Sequence, residues 1–285
     1  MKLVIDTRLV DAVLDSEYEK VYSDPMFLKL KEHAEDFQQC KLSGEEYLDQ
    51  LLHLDGIDIL KDKETILRNC KILRSIDCQK IVDALERYLP HEAIENVGQI
   101  TVFPVIGIAG LAMEDFIVID PAPYPWYPST GLDSEEYICK FLEPTLRHEL
   151  HHVGCFALHG KTEIGDLKNT VMLAADYIHE MQLEGGAILC EKQDECKPLN
   201  EEENDMLNKA LSRYMPVVRD WIVRNDEVND ADMNEYFQLW GESKHVYWLG
   251  ELLCRKMISL GIYSCVAECM SDEPMKWIGN IYSFE

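Results

Sequence analysis

Residues 147–153 carry a pattern that could bind a metal ion and activate water. They read R-H-E-L-H-H-V, which places His148 and His152 four positions apart with Glu149 between them. Residues i and i+4 of a helix lie on one face, so both imidazoles can reach one zinc ion at about 2.0–2.1 Å. Glu149 is rotated by about 100° from His148, where its carboxylate can exchange a proton with an attacking water. The pattern predicts zinc-dependent hydrolysis, with two histidine ligands and Glu149 as general base.

A catalytic zinc site needs a third protein ligand and one open position. The metzincin pattern H-E-x-x-H-x-x-G-x-x-H does not supply it, because Cys155 and Leu158 stand where it requires glycine and histidine. Residues 181–189, M-Q-L-E-G-G-A-I-L, offer Glu184, and the glycines after it would let this helix pack closely on another helix. We predict that Glu184 is the third ligand. Glu180, one turn earlier on the same face, is the alternative.

The segments H-E-L-H-H and E-G-G-A together resemble the gluzincin class of zinc metallopeptidases. They are more closely similar to an uncharacterised bacterial family of zinc-dependent peptidases. That family has a glycine-rich strand region before H-E-x-x-H and a later Tyr-x-x-Gly helix, and this chain has I-G-I-A-G at 106–110 and Y-W-L-G at 247–250. The resemblance covers roughly residues 98–258. It implies zinc held by the two histidines and Glu184, with Glu149 as general base.

The resemblance also implies that Tyr247 donates a hydrogen bond to the oxyanion that forms during hydrolysis. The alternative is that Tyr247 is a core aromatic of a helix over 245–257, and His245 is a second oxyanion candidate. The chain departs from the gluzincin pattern in two ways. Glu184 follows H-E-x-x-H at a longer interval than in the best-known gluzincins, and Ile188 stands four residues later, where an acid is expected.

Three further histidines lie near these motifs. His151 could compete for the metal, although a polar neighbour of the site is the favoured interpretation. His159 and His179 have no partner at ligand spacing on their own, and we interpret both as structural residues.

We predict a mostly helical α+β protein in which a small sheet packs against the zinc helix, a zincin-like arrangement. Residues 1–95 are expected to form an N-terminal helical region and residues 96–285 the catalytic region. The segments 99–103 and 116–120 read as strands. We expect an exposed edge of one of them to pair with an extended peptide substrate.

Apolar residues at helical spacing predict the helices, and capping patterns predict where some of them begin. Pro144 interrupts the apolar stripe of the zinc helix and predicts a kink or a fresh helix start. A capping box is expected at Ser43 with Glu46, a helix cap at Asn200 with Glu203, and a further N-cap at Asp133 with Glu136. The predicted helices cover 63–89, 170–191, 201–224, 232–259 and part of 264–282.

Composition excludes several classes of partner. The 285 residues include 27 Lys and Arg against 53 Asp and Glu, a net charge of −26. This charge repels phosphate backbones, so we expect no nucleic-acid partner and no basic membrane-binding surface. The longest apolar run, residues 103–113, is too short to span a bilayer. Acidic residues near the start and scattered cysteines without a C-x-x-C pair indicate a cytoplasmic protein with reduced thiols.

The predicted function is peptide hydrolysis by a zinc enzyme that acts on a peptide or protein substrate, with Zn²⁺ as cofactor. The alternative is a non-catalytic binding or regulatory protein that keeps a metallopeptidase fold. The intact Glu149 favours the enzyme, because a binding protein has no need of a general base there. A zinc hydrolase of non-peptide amides would use the same attacking water. The cleavage preference and the oligomeric state are not predicted.

Overall fold

The computed structural model describes residues 3–38, 40–54, 57–58, 63–95, 99–103, 110–113, 116–121, 136, 138–160, 167–193, 195–241 and 245–283. Within these residues the protein is mostly helical and contains a small sheet, which confirms the α+β class. The helices are α1 (Arg8–Leu14), α2 (Tyr18–Tyr22), α3 (Pro25–Gln38), α4 (Gly44–Leu52), α5 (Lys63–Arg74), α6 (Cys78–Leu85), α7 (His91–Ile94), α8 (Glu143–His159), α9 (Thr170–Lys192), α10 (Glu201–Arg224), α11 (Asp230–Gly241), α12 (His245–Ser259), α13 (Val266–Ser271) and α14 (Pro274–Gly279). The strands are β1 (Val4–Asp6), β2 (His53–Leu54), β3 (Ile57–Asp58), β4 (Gln99–Val102), β5 (Gly110–Ala112) and β6 (Phe116–Ile119).

The chain divides into two compact units. The first comprises Met1–Ile81 and Val97–Val153, and the second comprises Val82–Asn96 and Gly154–Glu285. The predicted division into an N-terminal helical region, residues 1–95, and a catalytic region, residues 96–285, stays a prediction.

The first unit contains a four-stranded sheet in the order β1-β4-β6-β5. Strand β4 pairs in parallel with both β1 and β6, so that Ile100 lies between Ile5 and Ile117. Strand β5 runs antiparallel to β6, with Leu111 opposite Val118. All four residues of β6 are buried, which is typical of a strand covered on both faces. A separate two-stranded pair, β2 with β3, is antiparallel.

The two predicted strands form, but neither offers an edge. Strands β4 and β6 are each paired on both sides, so the prediction that one of them binds a peptide along its edge is wrong. The reason is that their continuous apolar runs suit interior strands. The edges of the sheet are β1, which pairs with β4, and β5, which pairs with β6 and begins at Gly110. Gly110 is the last residue of the glycine-rich segment 106–110, and residues 106–109 lie outside the described residues.

Helices α1 to α4 and the sheet share one hydrophobic cluster in the first unit. Its centre is Phe27, whose ring lies 5.4 Å from that of Tyr47 and 5.9 Å from that of Phe103. Helix α4 begins with the predicted capping box. The Ser43 hydroxyl accepts from the Glu46 N–H at 3.1 Å, and the Glu46 carboxylate accepts from the Ser43 N–H at 2.7 Å. The box holds the start of a helix that contributes four buried side chains.

Helix α9 is central to the second unit and is buried on nearly every side. It packs against α10, α11, α12, α13 and α14. The Asn169 side chain caps its start by accepting from the Met172 N–H, and Gln193 ends it in a left-handed conformation with φ of 52°. A helix that is buried all round has no solvent face, so every polar side chain on it needs a partner or a function.

The predicted helices over 170–191 and 201–224 are confirmed as α9 and α10, and the capping box of Asn200 with Glu203 is present. One predicted helix was too long. The segment 63–89 forms α5 and α6, and the Asp77 carboxylate accepts from the Gln79 N–H at 3.0 Å where α6 begins. The segment 232–259 contains α11 and α12, and residues 242–244 between them lie outside the described residues. No described helix has both the length and the apolar character to cross a membrane.

Candidate metal centre

Helix α8 carries the H-E-x-x-H segment. It follows a π-helical turn at Ile138–Leu142 and has Pro144 in its first turn, which confirms the predicted fresh helix start. Asp133, the other candidate start, lies outside the described residues. Leu146 and Leu150 are fully buried, so the apolar stripe fixes how the helix is oriented about its axis. That orientation in turn sets where the two histidines of the motif lie.

His148 and His152 lie one turn apart on α8, as their spacing predicts. Their ring centroids are 4.6 Å apart and the rings are nearly perpendicular, at 88°. The two residues are only 9% and 7% exposed. Buried imidazoles on one helical face are suited to binding a metal ion rather than to solvation.

Glu184 of α9 completes a cluster of possible ligands with these histidines. One ligand atom from each of His148, His152 and Glu184 lies within 4.8 Å of the others. Two atoms bound to one zinc ion at about 2.1 Å are at most about 4.2 Å apart, so small side-chain rotations suffice to bring the three onto one ion. Two imidazole nitrogens and one carboxylate oxygen are a donor set that catalytic zinc sites use. The residues present therefore fit a zinc ion.

Close packing of α9 on α12 holds the backbone next to Glu184. A Cβ atom on Gly185 would lie 2.2 Å from the carbonyl carbon of Gly250, and one on Gly250 would lie 1.8 Å from the carbonyl oxygen of Met181. Neither distance is tolerable, so only glycine allows this helix crossing. The close packing predicted from the glycines after Glu184 is confirmed, and its partner is the glycine of the Y-W-L-G segment.

Glu149 lies against strand β5 of the first unit. A Cβ atom built on Gly110 would lie 2.6 Å from Cγ of Glu149 and 3.0 Å from its Oε1. Glu149 is partly exposed. The backbone of β5 at Gly110 is therefore in direct contact with the side chain that sequence analysis assigns as general base.

Three acids recur every four residues along α9, at Asp176, Glu180 and Glu184. The Tyr236 hydroxyl donates to Asp176 at 2.6 Å, and Trp240 Nε1 donates to Glu180 at 3.4 Å. Burial, followed by the negative charge of Asp176, raises the pKa of Tyr236. Of the three acids, only Glu184 belongs to the cluster of possible ligands found among the described residues. The rival ligand, Glu180, instead accepts a hydrogen bond from α11.

Tyr247 lies on α12 and is partly exposed. Its ring centroid is 6.3 Å from that of Trp240, with the planes at 68°. The alternative candidate, His245, begins α12, and its side chain lies outside the described residues. The role of either residue as oxyanion donor stays a prediction.

The other histidines have neighbours of their own. His151 is fully buried, and its ring centroid is 6.4 Å from that of His152. His159 Nε2 lies 2.6 Å from the carbonyl oxygen of Met270, and the His159 ring is 5.6 Å from that of His179. None of these three belongs to the ligand cluster found among the described residues.

Sequence analysis missed three residues around the site. Tyr236 and Trp240 stand four positions apart, the spacing of the acids to which they donate, and this matching period was a detectable signal. Gly110 was noted only as part of the glycine-rich segment 106–110, which suits a turn or close backbone approach, and its contact with Glu149 was not foreseen.

Comparison of the chain with protein-family models, with curated proteins and with solved structures finds no match.

Proposed function

We propose that this protein is a zinc-dependent peptide hydrolase with a zincin-like active site. One observation carries the proposal: ligand atoms of His148, His152 and Glu184 lie within 4.8 Å of one another, while Glu149 lies on the same helix as both histidines. Imidazole nitrogens disfavour calcium and magnesium, which prefer oxygen ligands. Two histidines and one glutamate are the ligands of several catalytic zinc sites in peptidases.

In the proposed reaction, Glu149 carries out both proton transfers. When bound, zinc lowers the pKa of a water molecule towards ~7 and polarises a carbonyl group. The Glu149 carboxylate accepts a proton from the attacking water and later donates it to the nitrogen of the leaving amine. A single carboxylate can serve both steps, because it is deprotonated before the first and protonated before the second.

Tyr247 is the proposed donor to the oxyanion that develops on the substrate carbonyl. Its phenol hydroxyl can donate one hydrogen bond, and edge-to-face packing against Trp240 restricts the ring. Trp240 also donates to Glu180, so the ring that orients Tyr247 is itself anchored to α9. His245 remains the alternative donor.

Strand β5 is the proposed docking edge for the substrate backbone. It is the last strand in the order β1-β4-β6-β5, and among the described residues only β6 pairs with it. An extended peptide can add to such an edge through main-chain hydrogen bonds. Gly110 of β5 is in contact with Glu149, so a peptide paired there would pass close to the general base.

The first test is the metal content of protein purified without chelator or added metal, measured by elemental analysis. We expect about one zinc per chain in the wild type and none in His152→Ala. The absence of zinc from the wild type, even after incubation with zinc, would refute the proposal.

The second test is hydrolysis of a peptide library by wild type and Glu149→Gln. The variant is expected to retain zinc and to lose about 10²–10⁴-fold in rate, the usual contribution of a general base. Zinc binding without peptide cleavage by the wild type would instead favour the binding or regulatory protein. Cleavage of simple amides but not peptides would indicate a non-peptide amidohydrolase.

A further inference from the structure

Position 110 has no room for a side chain. A Cβ atom there would lie 2.6 Å from Cγ, 3.1 Å from Cδ and 3.0 Å from Oε1 of Glu149. All three atoms belong to the Glu149 side chain, and two of them are atoms of its carboxylate group. The space that an alanine methyl group would occupy is therefore the space that Glu149 fills.

We propose that Gly110 is a positioning residue for Glu149, and this inference rests on the proposed function. The bare backbone of β5 leaves a slot for the Glu149 side chain and limits its rotation on that side. A general base works only within hydrogen-bond reach of the proton that it accepts. A displacement of about 1 Å can cost about 100-fold in rate. The missing side chain at position 110 would thus help to set the geometry of catalysis.

The reason for glycine at this position is steric rather than conformational. Among the described glycines, positive φ angles occur at Gly160 and Gly261 and not at Gly110, so an alanine backbone can adopt the conformation of β5. The neighbour that a methyl group would strike is a flexible side chain, not backbone. The easiest response to Gly110→Ala is that Glu149 rotates away while the fold is kept.

A steady-state comparison separates positioning from general destabilisation. We expect Gly110→Ala to keep its zinc and its KM but to lose at least about tenfold in kcat. Adding Gly110→Ala to Glu149→Gln should cause no further loss, because residues that act as one unit are not additive. Gly279→Ala is the matched control, since a Cβ there meets nothing within 4 Å, and it should behave as wild type.

Two kinetic results would overturn the inference. One is a kcat for Gly110→Ala within about twofold of wild type. The other is a further loss of about tenfold when Gly110→Ala is combined with Glu149→Gln, which would show that Gly110 acts through something other than the base.

A crystal structure of Gly110→Ala tests the inference without any assay of activity. We expect the Glu149 carboxylate to move by about 1 Å or more, while the rings of His148 and His152 stay in place. If β5 shifts and Glu149 does not, the inference is wrong. If the wild type cleaves no peptide, the proposed function fails. The position of Glu149 in the crystal structure of Gly110→Ala still decides whether Gly110 positions the Glu149 side chain.

Discussion

Gly250→Ala is expected to force helices α9 and α12 apart. The new methyl carbon would start 1.8 Å from the carbonyl oxygen of Met181 and 2.9 Å from Cα of Gly185, and carbon atoms in proteins essentially never approach such neighbours within 3.0 Å. Both atoms are helix backbone, so no side-chain rotation relieves the clash. The helices must separate or tilt until the shorter distance reaches at least 3.0 Å.

The loss of stability follows from the van der Waals contacts that such a separation weakens. A radial gap of about 0.5–1 Å removes about a quarter to a half of the attraction of each contact across it. Val246, Leu249 and Leu253 of α12 are fully buried, and a buried leucine makes about 40–60 contacts of about 0.1–0.2 kcal/mol each. Overpacking of this kind costs about 1–3 kcal/mol or more, and backbone contact places Gly250 at the upper end. Alanine favours the helix by about 1 kcal/mol relative to glycine, which offsets part of this cost. We therefore expect the free energy of unfolding to fall by about 2–3 kcal/mol.

Thermal unfolding measures this loss directly. A net loss of about 2–3 kcal/mol should lower Tm by about 4–12 °C for a unit of this size. Gly279→Ala is the control for the exchange itself, because its Cβ meets nothing within 4 Å, and it should change stability by less than about 1 kcal/mol. If Gly250→Ala unfolds at the wild-type temperature, the backbone crossing does not exist as described.

Two further predictions concern charged residues. Lys31, the Leu42 N–H and Lys41 lower the pKa of Glu35 to about 2, from 4.5 in the unfolded chain, so its stabilisation is complete above pH 4.5 and is lost as the pH falls towards 2. Glu35→Gln should therefore flatten the fall in the urea midpoint between pH 5 and pH 2.5, and an unchanged pH dependence would contradict this. Glu184→Ala should weaken zinc binding by about 100-fold or more in a chelator competition, through loss of one of three protein ligands. Glu180→Ala should retain zinc, and the opposite pattern would identify Glu180 as the ligand.

The parts of the site that the sequence predicted are those governed by helix periodicity. The two histidines are four residues apart, and a helix places such residues together whatever surrounds it. Glu184 came from a weaker signal, the glycines that follow it. Those glycines indicate a close helix crossing but do not name the partner helix. The structure supplies that partner in Gly250, whose segment had been noted only for its resemblance to a Tyr-x-x-Gly pattern.

The parts that sequence analysis missed depend on which strand lies where. Segments 99–103 and 116–120 were recognised as strands because their apolar runs are strong. The same apolar runs place them in the interior of the sheet, paired on both sides. The edge strand beside β6 is only three residues long, Gly110–Ala112, which is too short for a period-2 pattern to stand out. Strand order is a tertiary property, and no local pattern in this chain specified it.

The row of acids on α9 shows why a ligand is hard to choose from spacing alone. Asp176, Glu180 and Glu184 occupy one face at equal intervals, so helix spacing alone makes each of them a candidate metal ligand. What distinguishes them is the neighbouring helix, because Tyr236 and Trp240 of α11 donate to the first two. A carboxylate that accepts such a hydrogen bond is stabilised where it lies. The acid one turn beyond these acceptors is the one whose carboxylate lies within 4.8 Å of a ring nitrogen of each histidine, so the neighbours of α9 separate the proposed ligand from the other two acids where helix spacing does not.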